Sequence, residues 1–215
     1  MTASIALLSQ KGGAGKTTLS VHLAVAAYGT GERVTLIDTD PQGSATAWGA
    51  TRGGQHSPPV VAVDAARLAD VMASARHDAM TLCVVDCAPH AGPDAVIVAR
   101  SVDLVLIPVR PSAFDLAAAR QTVEIVAKAK VRAAFVLSAC PVRAPEIEEA
   151  RLALTDHGLP ICRLAITERR AFSRAISSGQ AVSEFEPYGK AATEIGFLWR
   201  WVQQQLAEGG KSHGN

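Results

Sequence analysis

Two lysines, three glycines and two hydroxyls fall together near the N-terminus, in Gln10-Lys11-Gly12-Gly13-Ala14-Gly15-Lys16-Thr17-Thr18. These residue types can hold a polyphosphate. Backbone N–H groups wrap an anion only where side chains leave room, and glycine leaves it. A lysine ammonium is a charge to set against β- and γ-phosphates, and a threonine hydroxyl can bind Mg²⁺. The pattern G-x-x-x-x-G-K-[ST] is met loosely: the place of its first glycine is taken by Gln10, and the extra glycines stand at Gly12 and Gly13. Lys16 is therefore expected to reach the phosphates and Thr17 the metal. Lys11, Gly12, Gly13, Ala14, Gly15 and Thr18 are expected to complete the cradle. The structural alternative is a Gly/Lys-rich turn in a dinucleotide-binding type of domain.

Three aspartates stand where the same chemistry needs them. Asp38 and Asp40 follow the apolar run Val34-Thr35-Leu36-Ile37, inside Asp38-Thr39-Asp40-Pro41-Gln42-Gly43, and Asp86 ends Thr81-Leu82-Cys83-Val84-Val85. Acidic residues at the carboxyl ends of strands lie where open α/β sheets bind ligands. Asp86 suits an acid that holds Mg²⁺ through a water. The bland alternative for Asp38 and Asp40 is N-capping of a following helix.

Elements able to position these groups follow from hydrophobic periodicity. Apolar runs at 5–8, 34–37, 81–86, 104–109 and 133–137 predict strands, with shorter ones at 60–63 and 160–164. Helical spacing covers 19–28, 65–75, 94–100, 116–128 and 146–157, and Ile195, Leu198, Trp199, Val202 and Leu206 mark a terminal amphipathic helix. Pro41 and Gly43 argue against an immediate helix, and 49–59, rich in Gly, Arg, Gln, Pro and Ser, predicts a surface loop. Strands alternating with helices predict a single α/β domain over 1–208, a mostly parallel twisted sheet with helices on both faces. The polar residues 209–215 are expected to form a disordered tail.

Composition sets the outer bounds. With 215 residues, 48% of them apolar and 19% charged, the chain can bury a core of ordinary size. No apolar run approaches the roughly 18 residues of a membrane span, and no basic-then-apolar leader opens the chain. The four cysteines, Cys83, Cys87, Cys140 and Cys162, form no CxxC pair. They predict a reduced, cytoplasmic setting in which they serve as small core residues. Net charge is +1, with 8 Lys/Arg against 10 Asp/Glu in 1–119 and 13 against 10 in 120–215. No global nucleic-acid signature exists, only a mild basic excess in the C-terminal half.

The K-G-G-x-G-K-T-T form resembles the deviant Walker A loop of the ParA/MinD group of P-loop ATPases. So do the D-x-D-P-Q-G string, the Pro111-Ser112 turn after the 104–109 strand, and the stretches Ile166–Ala175 and Gly179–Val182, which are similar to the ends of short ParA proteins. The resemblance implies an ATPase that uses ATP and Mg²⁺. In it Lys11 crosses the interface of an ATP-bridged homodimer to the other subunit's nucleotide. Asp40 orients or activates the attacking water, Asp38 supports the Mg²⁺ shell, and Asp86 takes the Walker B position. Family members bind duplex DNA without sequence preference, and a small cargo-bound, ParB-like protein stimulates their hydrolysis. The expected localisation is cytoplasmic, on the nucleoid in the ATP state. Arg169, Arg170 and Arg174 are the expected DNA contacts, with Arg143 and Arg200 as additions. They could equally be a solvated face paired with Glu168, Glu184 and Glu186. One departure stands out: relatives commonly carry Asn after the sixth strand, where it reads adenine, and this chain carries Ser138, which offers a single hydrogen-bonding group.

Rival expectations are a MinD-like membrane-associated ATPase and a dethiobiotin-synthetase-like ligase. The first needs a basic amphipathic C-terminal helix, whereas here Arg200 is the basic residue of a helix better suited to core packing. The second shares fold and loop but has no use for Lys11. An Fe–S site at Cys87 lacks an evident partner cysteine.

Overall fold

The computed structural model describes residues 2–53, 58–89 and 92–212. Six strands form one sheet: β1 (Ala3–Leu7), β2 (Val34–Asp38), β3 (Val60–Ala62), β4 (Leu82–Asp86), β5 (Leu104–Val109) and β6 (Arg132–Leu137). Their order is β3-β2-β4-β1-β5-β6, and every pairing is parallel. A parallel pair needs a long crossover, and the helices supply it: α1 (Lys16–Gly29), α2 (Ser44–Arg52), α3 (Leu68–His77, entered by a 3₁₀ turn at Ala65–Arg67), α4 (Pro93–Ser101), α5 (Ala113–Ala129) and α6 (Glu146–Thr155). Then come α7 (Arg170–Ser177), α8 (Val182–Phe185) and α9 (Lys190–Ser212).

Side chains alternate across each strand, so each strand feeds two cores. Ile5, Leu7, Leu36, Val84, Leu106 and Val136 face α1, α7, α8 and α9. Ala6, Leu8, Ile37, Val85, Ile107 and Phe135 face α3, α4, α5 and α6. That is why the strands read as unbroken apolar runs: both faces of a parallel sheet are covered. β1 sits near the middle, between β4 and β5. Its carboxyl end therefore opens between the ends of its two neighbours, where ligands bind in such sheets.

The expected architecture holds, with three local differences. The loop expected over 49–59 is helical up to Arg52, and α2 begins directly after Gly43, which takes a left-handed φ of 63°. Tertiary contacts override the turn signal there: Trp48 is buried, and its indole N–H donates to the Gln180 carbonyl. Residues 54–57 of that loop lie outside the described residues. The strand expected at 160–164 is reduced to isolated bridges at the β6 edge, Phe135–Ile161 and, further on, Cys140–Thr167. Pro160 has no N–H to donate to a ladder. The tail expected from 209 is instead helical through Ser212, because α9 simply continues; 213–215 lie outside the described residues. The terminal helix packs into the core as expected, with Ile195, Leu198, Trp199 and Val202 buried and the Trp199 indole donating to Thr30 Oγ1 at 2.9 Å.

Candidate functional site

The loop between β1 and α1 turns through Gly13 (φ 75°) and Gly15 (φ 90°), a conformation that L side chains resist. Gly15 is the N-cap of α1, so the free N–H groups and positive end of that helix open onto the loop. Lys16 is only 7% exposed, and its Nζ donates to the carbonyls of Ser9 and Lys11 at 3.3 Å each. Burial lowers its pKa, opposed by Asp86, Cys87 and Asp40. Lys11 points the other way. It is exposed on the rim, with its Nζ 5.9 Å from the ring centroid of Phe114, itself 80% exposed at the start of α5. Lys11 makes no salt bridge among the described residues.

The three aspartates converge through strand register. Asp38 of β2 lies opposite Asp86 of β4, and Asp86 opposite Leu7 of β1, where the loop begins. Asp86 is fully buried. Ser20 Oγ lies 3.0 Å from its Oδ1, and its Oδ2 has no partner among the described residues. Burial pushes the Asp86 carboxyl up to about 7, with Thr17, Ser20 and Lys16 pulling it down and Asp38 pushing it up. A buried carboxylate with one uncommitted oxygen beside a threonine hydroxyl and a lysine fits a hard divalent cation. Asp38 behaves differently. Its Oδ2 accepts from both N and Oγ1 of Thr46 at 2.8 Å, and its Oδ1 accepts from the Asp40 N–H at 3.1 Å. It therefore fastens the first turn of α2 from β2, while the N-cap position itself is Gly43, with no side-chain cap. Asp40 is half-buried, with Oδ1 accepting from the Gln42 N–H.

Beside the loop lies a cavity of roughly 710 Å³, lined by Thr18, Pro141, Ile166, Phe172 and Ile176 among others. Its apolar walls suit a flat aromatic base. Ser138 lines it too, but its hydroxyl donates to the Ala14 carbonyl at 2.7 Å. Its one donor is thus engaged by the loop, which leaves the hydroxyl only acceptor capacity toward the cavity.

A family model described as the CobQ/CobB/MinD/ParA nucleotide binding domain matches residues 5–182. The chain belongs to this family. It is a nucleotide-binding ATPase of the MinD/ParA type. Among similar proteins is the maintenance of carboxysome distribution protein A of Gloeobacter kilaueensis, 32% identical over 208 residues, or 94% of this chain and 93% of the relative. The protein of the same name from Halothiobacillus neapolitanus is 29% identical over 203 residues, or 89% and 91%. The fold matches the septum site-determining protein MinD complexed with Mg-ADP from Pyrococcus horikoshii, with a TM-score of 0.76, 19% identity and coverage of 97% and 99%.

The three arginines of this ATPase differ in what engages them. Arg169 is drawn inward: its guanidinium pairs with Glu194 of α9 at 2.6 Å, its side chain is 25% exposed, and Thr167 binds the same carboxylate. Its expected place among DNA contacts is corrected on that ground. Arg170 and Arg174 are exposed on α7, and Arg174 stacks over the Phe185 ring at 5.2 Å. The four cysteines are free and buried, as the core reading expected. No helix among the described residues is long and apolar enough to cross a membrane.

Several contributors escaped the sequence reading. Thr46 and Ser20 lack a motif, although Ser20 lies one helical turn beyond Lys16, a spacing that could have placed it on the same face. Arg110 sits at the carboxyl end of β5 and its Nη2 donates to the Gly13 carbonyl. Its position after a strand was the available signal. His22 of α1 is completely buried. Its Nδ1 accepts from the Val182 N–H at 3.2 Å, its ring lies 5.1 Å from that of Phe172, and burial lowers its pKa to about 3.

Proposed function

We propose that this ATPase is a nucleotide-driven dimer that positions a large cargo. The observation that carries this is the division of labour between two lysines on one loop. Lys16 is buried and serves the loop from within, whereas Lys11 stands on the exposed rim with an aromatic ring beneath it. An ammonium so placed is free to meet an anion presented from outside, and a second subunit's nucleotide is such an anion. The names of the carboxysome-distribution relatives support the cargo side of the reading.

Within one subunit, the amides of residues 12–17 and Lys16 take the β- and γ-phosphates. Thr17 and Asp86 would hold Mg²⁺, and the cavity beside the loop would take the base. Bound Mg²⁺ would neutralise charge on the phosphate oxygens. Asp40 orients the attacking water. Asp38 serves the metal shell indirectly, by fixing the Asp40 N–H and the start of α2. The ATP-bound dimer holds duplex DNA without sequence preference through Arg170 and Arg174, which dimerisation doubles. A small cargo-bound, ParB-like partner stimulates hydrolysis and releases the dimer, which links a nucleoid-bound state to a cytoplasmic one. The cargo is a carboxysome-like particle or a plasmid.

Sedimentation with and without Mg-ATP tests the reading. Wild type should dimerise only with ATP, and Lys11→Ala should bind ATP yet remain monomeric. An unchanged ATP-dependent dimer in Lys11→Ala would refute the role of Lys11 across the interface.

A further inference from the structure

The phosphate loop does not hold its own shape unaided. Two side chains from outside it catch successive carbonyls. Arg110, just past β5, donates from Nη2 to the Gly13 carbonyl. Ser138, just past β6, donates from Oγ to the Ala14 carbonyl at 2.7 Å. Both anchors are themselves fixed: the Ser112 N–H donates to the Arg110 carbonyl at 2.8 Å, and the Ser138 N–H to the Val109 carbonyl at 2.9 Å. From the inside Lys16 Nζ takes the carbonyls of Ser9 and Lys11.

A trans peptide is planar, with its C=O and the next N–H on opposite sides. Holding the Gly13 carbonyl therefore sets the direction of the Ala14 N–H, and holding the Ala14 carbonyl sets that of the Gly15 N–H. Gly13 and Gly15 adopt left-handed φ values, and a glycine-rich backbone left to itself samples many peptide orientations. Anion binding by a nest of amides is strong when the amides already point at the anion and weak when they must be turned first. Arg110 makes no salt bridge among the described residues, so its contact with the loop has no competing carboxylate there.

We infer that Arg110 and Ser138 are positioning residues that preset the Ala14 and Gly15 amides for the β-phosphate. The inference rests on the nucleotide-loop reading above but on neither dimerisation nor DNA binding. This anchoring gives Ser138, unsuited to an amide's two-point base contact, a part in nucleotide binding.

The test is competition titration of AMP, ADP and Mg-ATP against a fluorescent ADP on wild type, Arg110→Ala, Arg110→Lys and Ser138→Ala. ADP affinity should fall about tenfold in Arg110→Ala and about fivefold in Ser138→Ala, the scale of one hydrogen bond. AMP affinity should stay as in wild type, because AMP has no β-phosphate. Arg110→Lys should recover part of the loss, and in steady-state assays KM should rise with kcat unchanged. Arg110 is exposed, so its removal should leave the nucleotide-free melting temperature within about 2 °C. Unchanged ADP affinity in both variants would overturn the inference, as would equal loss of AMP and ADP with a lowered melting temperature. Arg110→Ala that binds ADP normally but fails to dimerise with ATP would also overturn it, making Arg110 an interface cation. Failure of wild type to bind ADP at all would instead sink the nucleotide reading itself.

Discussion

Acidification should remove a stabilising contribution at one residue, His22. It is completely buried on α1, its Nδ1 is occupied by the Val182 N–H, and its Nε2 has no partner among the described residues. Burial lowers its pKa to about 3, against 6.5 in the unfolded chain, with Glu184 of α8 opposing the shift. The unfolded state therefore binds a proton that the native state refuses between pH 6.5 and about 3, so stability falls as pH falls through that window. From pH 7 to pH 5 the cost is about 2 kcal/mol. That figure depends little on the native value, provided it lies below about 4. Against a total of roughly 5–15 kcal/mol, this is a large share. Asp86 pushes the other way. Its carboxyl is raised to about 7, so the native state keeps a proton that the unfolded chain sheds, and acid favours the fold through it. Comparison with His22→Asn isolates the histidine, because asparagine can still accept from the Val182 N–H but carries no titrating proton. Urea unfolding without nucleotide, at pH 7 and pH 5, is the assay. With m of about 2.5 kcal/mol/M, the wild-type midpoint should fall by about 0.8 M relative to the variant over that interval. Equal pH dependence in the two proteins would refute the burial argument.

Three other outcomes follow from the site. Lys16→Ala should weaken ATP binding by about 100-fold or more, since more than one charge-assisted contact is lost, and calorimetric titration reads it. Asp40→Ala should bind ATP and dimerise but hydrolyse about 10²–10⁴-fold more slowly, so phosphate release and sedimentation on one sample should diverge; wild-type turnover would remove Asp40 from the water-orienting role. Arg170→Ala should lower the salt slope of non-specific DNA binding by about one, from a wild-type slope of about −0.9 per neutralised phosphate, with ATP-driven dimerisation intact; an unchanged slope would move the DNA surface off α7.

The fold was legible because its signals are repetitive. Runs such as Val34–Ile37 and Leu104–Val109 are apolar on both faces, and only a covered parallel sheet asks for that. The differences arose where a distant contact decides. Pro41 and Gly43 do mark a turn, but α2 starts at once because Asp38 accepts from Thr46 and Trp48 is buried against the segment joining α7 and α8. Propensity within a dozen residues contains neither Trp48's partner at Gln180 nor the packing of Gly179 on the Arg52 backbone.

The site shows the same division more sharply. A motif assigns residue types to ligand groups, and adjacency in sequence together with strand-end position brings Lys16, Thr17 and Asp86 near one another in the fold. It cannot say which side chains the protein itself consumes. Asp38 was read as a metal acid, yet its carboxylate oxygens are engaged by Thr46 and the Asp40 N–H. Ser138 is expected at the base and its donor is committed to Ala14; Arg169 is expected on DNA and its guanidinium is committed to Glu194. In each case a polar group sits partly or wholly out of water, where an unpaired donor or acceptor is costly, so the nearest protein partner claims it. Exposure is what spares a group: Lys11, Arg170 and Arg174 have only aromatic rings or solvent beside them in the contacts described. Sequence reasoning about a site is thus most secure for residues the fold leaves solvated or fixes by local geometry. It is least secure for half-buried polar residues, whose chemistry is set by protein partners that no motif specifies, whether eight positions away, as for Asp38, or more than a hundred, as for Ser138.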